Sequence, residues 1–268
     1  MSRKIRDAQF SCGKGAFLHL WLAVLLIAAM GLVLGLLGGG GSILTVPILV
    51  YVLGMEAHAA ISLSLILVGG TALVGAFLHQ EAASVAWKQG LLFVCFGVPL
   101  NFLGAGLSRH VSGTVLLLLF GVLMGISGTA MLYKRREPNP ADVPRIWPVV
   151  IAGAVVGFLA GFLGVGGGFM VVPSLVLFLH IPIKSATGTS LLVIAANSAL
   201  ALVGHRHSLR VDWTLMLELV PPALLTTYLG VKLTEKLSAQ QLRWVFGVFV
   251  ILLGVFMVAS NTSLMFKH

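Results

Sequence analysis

Two short stretches hold the residues best placed to do chemistry. The first is GLLGGGGSILTVPIL, residues 35–49, and the second is GFLGVGGGFMVVPSL, residues 161–175. Each sets a glycine cluster inside apolar sequence, followed by a short apolar run with an internal proline, Pro47 or Pro173. A glycine costs a helix about 1 kcal/mol relative to alanine, so the clusters predict breaks rather than continuous helices. Glycine also permits positive φ and lets a ligand approach the backbone closely. A short helix starting near Ser42 or Gly168 would offer unpaired N–H groups and the positive end of its dipole, which favours an anion. The residues predicted to touch a small anionic substrate are Gly38, Gly39, Gly40, Gly41 and Ser42, with Gly164, Gly166, Gly167 and Gly168 in the second stretch. The competing reading is close helix packing, because small residues line helix interfaces in membranes.

Polar residues within the apolar runs extend this set. Ser190 and Asn197 are seven apart and share a helix face, so they could hydrogen-bond an oxyanion. Ser64 and Thr189 join them as candidate ligands. The alternative for the hydroxyls is bonding to helix carbonyls, and for Asn197 an amide partner on another helix. His79, His205 and Glu218 are candidates for coupling transport to an ion such as H+ or Na+, since ionisable groups at membrane depth mark proton and ion paths. Each has a plainer reading as an interfacial group. Trp87 and Trp213 read as interfacial anchors. Asn101 has no amide counterpart in the other half, where Thr227 stands. No P-loop, zinc motif or GxSxG turn is found, so neither a metal nor a cofactor is expected. Cys12 and Cys95 make no disulfide framework or metal site.

The elements that must position these residues follow from composition. The chain has 268 residues, 58% of them hydrophobic and 9% charged, with mean hydropathy +1.05. A soluble domain carries about 25% charged residues, so a water-covered surface cannot be built here. The apolar runs are continuous, which disfavours the alternation of a membrane β-barrel. The expected fold is an all-α polytopic membrane protein. Apolar segments lie at about 16–37, 43–53, 58–78, 88–107, 114–133, 148–163, 169–179, 186–204, 214–233 and 242–260. Spanning hydrocarbon takes about 20 helical residues, so eight are near full spans and two, 43–53 and 169–179, are half-helices.

The two halves align without a gap at an offset of 126, with 16 identities over the 54 positions of 35–88. Pro47 falls on Pro173, Ser64 on Ser190, His79 on His205 and Trp87 on Trp213. The organisation expected is a basic tail 1–15, a first repeat unit 16–133, a basic linker 134–147, a second unit 148–260 and a tail 261–268. Tandem units of this kind build many secondary transporters. If each short segment is re-entrant, each unit crosses four times and the tail, linker and C-terminus are cytoplasmic, with twelve basic residues inside and five outside. If the short segments cross, the units are inverted, with eight inside and nine outside. The positive-inside rule favours four plus four, and inverted five plus five stays open. The net charge of +9 is read as topology, not nucleic-acid binding.

At these residues the chain resembles the TauE/SafE family of sulfite exporters, within the toluene-sulfonate uptake permease superfamily. The resemblance covers nearly the whole chain and is most specific over 161–194, including Pro182 and the small-residue run Ser185–Ser190. The first half is looser, with Ala60–Ser64 reading AISLS where the second half has ATGTS. The resemblance implies transport of sulfite, sulfoacetate or another sulfonate, with export as the expected direction, in a bacterial inner membrane. A homo-oligomer is compatible with it. The alternatives are an anion channel and, further off, a membrane enzyme or assembly factor without transport.

Overall fold

The computed structural model describes residues 15–82, 85–108, 110–111, 113–133, 146–163, 168–204 and 212–265. Among them all regular structure is helical. The first half contains α1 (Gly15–Leu37), α2 (Ser42–Pro47) with a π-helical turn (Ile48–Val52), α3 (Ala57–Ala82), α4 (Trp87–Ser108) and α5 (Gly113–Leu132). The second contains α6 (Ile146–Leu163), α7 (Gly168–Leu177), α8 (Ile183–Gly204), α9 (Trp213–Lys236) and α10 (Ala239–Met265). Each apolar segment of the sequence becomes a helix within a few residues. The glycine cluster after Leu37 ends α1, and the π-turn follows Pro47, whose ring and missing N–H disturb the regular helix register.

Six helices are long and apolar enough to cross a membrane: 59–80, 87–108, 146–163, 183–203, 213–236 and 239–256. Apolar stretches of α1 and α5 are shorter over the residues assessed, 21–37 and 118–132. Of the eight full spans expected, six are met among the described residues, and α1 and α5, helices of 23 and 20 residues, are assessed over part of their length. Large apolar side chains point outward, among them Tyr51, Phe102, Trp147, Phe178, Leu217 and Phe256. Exposed apolar area on that scale suits a lipid solvent.

The glycines fix the direction in which the helices pack. Gly31, Gly35 and Leu36 of α1 meet Ala223, Thr227 and Thr234 of α9 in ascending order, so these two helices run parallel. Gly153, Gly157 and Gly161 of α6 meet Phe93, Gly97 and Asn101 of α4 in the same way. By contrast, Gly69, Gly75 and His79 of α3 meet Ser198, Leu191 and Gly188 of α8, so numbers rise on one helix as they fall on the other. Gly121 and Gly128 of α5 meet Gly254 and Gly247 of α10, again antiparallel. Two units facing the same way would hold α3 parallel to α8 and α5 parallel to α10. The expectation of four crossings per unit does not fit these directions.

A second observation agrees. His79, near the end of α3, bonds Gly35, near the end of α1. These helices thus run the same way, and the chain must reverse twice between them. The short segment does this. Gly41 lies against Met30 and Leu34, and the π-turn packs on α1. The short segment therefore folds back along α1 before α3 begins.

Features recur 126 residues apart. Helices start at Ser42 and Gly168, Ala57 and Ile183, Trp87 and Trp213, Gly113 and Ala239. Gly54 (φ 65°) and His180 (φ 52°) both take left-handed backbone. Met55 N–H donates to the Leu49 carbonyl at 3.2 Å, and Ile181 N–H to the Leu175 carbonyl at 3.0 Å.

Candidate functional site

The first break is well defined. α1 ends at Leu37, and Gly38 turns the chain with φ 74°, a left-handed conformation that helix ends favour and that glycine takes without strain. Its N–H still donates to the Leu34 carbonyl at 2.8 Å. The carbonyls freed where a helix ends need donors. Three side chains supply them. His79 donates from Nε2 to the Gly35 carbonyl at 3.0 Å, Thr234 Oγ1 to Leu36 at 3.1 Å, and Ser190 Oγ to Gly38 at 2.6 Å. These donors come from α3, α9 and α8, so the break is clamped from both halves.

The glycines of this break are tightly packed. A Cβ on Gly38 would lie 2.5 Å from Ser190 Oγ, one on Gly40 would strike the ring of Phe249, and one on Gly41 would strike the Met30 carbonyl. Gly39 is buried, and its carbonyl accepts from Ser42 Oγ at 2.9 Å. Close packing thus accounts for Gly38, Gly40 and Gly41 in this conformation. In the second half Gly164, Gly166 and Gly167 lie outside the described residues. Gly168 is described: it is buried, and a Cβ there would sit 2.9 Å from Ser42 Oγ. The first residues of the two short helices α2 and α7 therefore meet.

The polar candidates divide. Ser190 also donates toward the Thr187 carbonyl at 2.7 Å, Ser64 Oγ donates to Ile61 at 2.8 Å, and Thr189 Oγ1 donates to Ser185 at 2.7 Å while accepting from Ala86 N–H at 2.9 Å. Their hydroxyl protons are committed to carbonyls, as helix-bound Ser and Thr commonly arrange. Asn197 differs: its Oδ1 is buried and has no partner. It lines a cavity of about 10 Å³ with Asn101, Gly97, Gly157 and Val171. The sequence marked Asn101 only as lacking an amide counterpart in the other half, where Thr227 stands.

Among the coupling candidates, His79 is 1% exposed, with Nε2 engaged and Nδ1 buried without a partner. His205 lies outside the described residues. Glu218 is exposed on α9. Trp213 is exposed, whereas Trp87 is half-buried, donating from Nε1 to Gln80 Oε1 at 2.7 Å and packing on Phe77 with ring centroids 5.8 Å apart.

Apolar helices of membrane length, an outward-facing apolar surface and helix breaks satisfied by side chains define a polytopic α-helical membrane protein. Residues 23–257 match the family described as Sulfite exporter TauE/SafE. A "Probable membrane transporter protein" of Xylella fastidiosa (strain 9a5c) is 36% identical over 238 residues, covering 85% of this chain and 91% of that protein. The "Probable membrane transporter protein YunE" of Bacillus subtilis (strain 168) is 26% identical over 264 residues, covering 87% and 96%. "Probable membrane transporter protein MJ0441" of Methanocaldococcus jannaschii is 24% identical over 253 residues, covering 87% and 94%. The chain belongs to the TauE/SafE family and is a membrane transporter.

Proposed function

We propose that this protein is a secondary transporter that exports a small organosulfur oxyanion, sulfite or a sulfonate such as sulfoacetate, across a bacterial inner membrane. The observation that carries this reading is the meeting of α2 and α7 at Ser42 and Gly168. Two short helices brought together at their N-terminal ends aim their dipoles and first-turn N–H groups at a common region, the arrangement that broken helices use to hold anionic groups. The glycine clusters before them, Gly38–Gly41 and Gly164–Gly167, are read as the backbone that parts to admit the anion. Ser42 and Asn197 are its side-chain neighbours. Ser64, Thr189 and Ser190 are read as supports that hold the helices.

The chain is further read as two inverted copies of one unit. The antiparallel pairs α3/α8 and α5/α10 and the features recurring at 126 residues support that reading. Five crossings per copy then put the linker 134–147 on the opposite face from both termini. Inverted copies suit alternating access, since exchanging their two conformations moves the opening from one face to the other. Of the two described coupling candidates, His79 is enclosed and Glu218 exposed, and His79 is read as the coupling group.

The test is flux. Purified protein in liposomes is expected to carry labelled sulfite or sulfoacetate faster than empty liposomes, saturably and with counterflow. No excess flux with any such anion rejects the substrate class. Single-channel currents in place of counterflow reject the carrier.

A further inference from the structure

The cavity beside Asn197 lies about one helical turn from the place where α2 and α7 meet. Gly168 packs on Ile194, and the cavity is lined by Val171 on α7 and by Val193 and Asn197 on α8. Its polar lining is two amides, Asn101 from α4 and Asn197 from α8, in walls that are otherwise apolar or glycine. Its volume of about 10 Å³ is close to the least that holds one water-sized group. Val171 closes the first turn of α7, and the N–H groups that lack partners within the helix are those of Gly168–Met170, just before it. A carboxamide can turn over to present either its NH2 or its oxygen, so the unpartnered end of Asn197 can become a donor. Leaving a buried amide half-satisfied is costly, and such a group calls for an occupant.

The residues 126 positions away from this lining are also informative. Asn101 corresponds to Thr227, Asn197 to Thr71 and Val171 to Thr45. All three threonines are buried, at 0%, 1% and 0% exposure. Thr227 donates to Gly31 at 3.1 Å and Ala223 at 2.7 Å, and Thr71 to Leu67 at 2.7 Å, whereas Thr45 Oγ1 has no partner. The residues at the equivalent positions of the first half are thus polar and buried, with one unmet hydroxyl.

Building on the transporter reading above, we infer that the Asn101–Asn197 cavity is a subsite for one oxygen of the transported oxyanion, with Thr45, Thr71 and Thr227 as its counterpart in the other half, shut in this conformation. The amide NH2 groups supply donors in a lining that is otherwise apolar or glycine, so each counts for more than in water. A resident cation suits the lining less, because the dipole end of α7 is positive and the lining has no carboxylate.

The experiment compares sulfite uptake into liposomes by the wild-type chain with Asn101→Thr and Asn197→Thr, substitutions that copy the other half and so spare the packing. Asn197→Ala is a harsher companion, and size-exclusion profiles check folding. Each Thr variant is expected to raise KM for sulfite about tenfold while kcat stays within about twofold, because donors to a charged group are lost. Asn197→Gln, which keeps the amide, is expected to fall between. If wild type carries sulfite and both Thr variants keep its KM while only their thermal stability changes, the cavity holds a structural water and the inference is overturned. If wild type carries no anion at all, the transport reading itself falls, and the subsite with it.

Discussion

Gly38 and Gly54 both hold left-handed backbone, at φ 74° and 65°, yet their surroundings differ. A Cβ on Gly54 would find open space, whereas one on Gly38 would lie 2.5 Å from Ser190 Oγ and 2.6 Å from the Thr187 carbonyl. Gly54→Ala should therefore cost only the backbone penalty, about 1–2 kcal/mol. Gly38→Ala should cost that plus about 1–3 kcal/mol of overlap. Thermal unfolding in detergent measures the difference, and equal losses would disprove the packed break. The sequence made Gly38 a candidate through its cluster, but it could not separate ligand approach from helix packing, because both need a missing side chain. Likewise Ser190 read equally well as a ligand or a cap. Only the structure shows its hydroxyl between two carbonyls, Gly38 at 2.6 Å and Thr187 at 2.7 Å.

Between helices, smallness sets how closely backbones approach. Gly97 and Gly157 bring α4 and α6 together so tightly that a Cβ on Gly157 would strike the Gly97 carbonyl, while Gly106 on α4 has nothing near it. Without a hydrophobic drive between helices in lipid, this kind of contact is a main source of association. Gly157→Ala should lower stability by about 1–3 kcal/mol and broaden the size-exclusion peak. Gly106→Ala should be neutral or stabilising by up to about 1 kcal/mol. If both variants behave alike, the α4/α6 seam does not rest on these glycines. Element positions were largely legible, since apolar run length and glycine punctuation are local properties. Whether a short segment returns to its own side or carries the chain across was not, because an eleven-residue apolar run permits either.

Across the whole molecule, α1 packs against α9 and α4 against α6, so each half completes its core with a helix of the other. One buried apolar cluster gathers α1 and α3 with α8 and α9, and the other gathers α4 and α5 with α6, α7, α10 and the opposite side of α8. Two halves so interleaved, if inverted as proposed, should place the linker and the C-terminus on opposite faces. In a chain with Cys12 and Cys95 replaced, Ala141→Cys and Lys267→Cys should react with a membrane-impermeant maleimide from opposite sides of sealed vesicles. Labelling of both from one side would return the topology to four crossings per unit. The count of basic residues favoured that topology, because the bias is statistical and a single linker with four basic residues swings it.

Composition and run length determined from the sequence that this chain lives in a bilayer as helices, for charge is too scarce to solvate any other surface. The first glycine cluster located the end of α1 and the start of α2, since it is written in residue types along the chain. The relative direction of α3 and α8, the clamping of the α1 terminus by His79, Thr234 and Ser190, and the pairing of Asn101 with Asn197 around one cavity were decided by tertiary structure. Each depends on which helix lies beside which, and in lipid, where apolar faces are nearly interchangeable, that choice is made by close steric fit and by the need to satisfy every buried carbonyl.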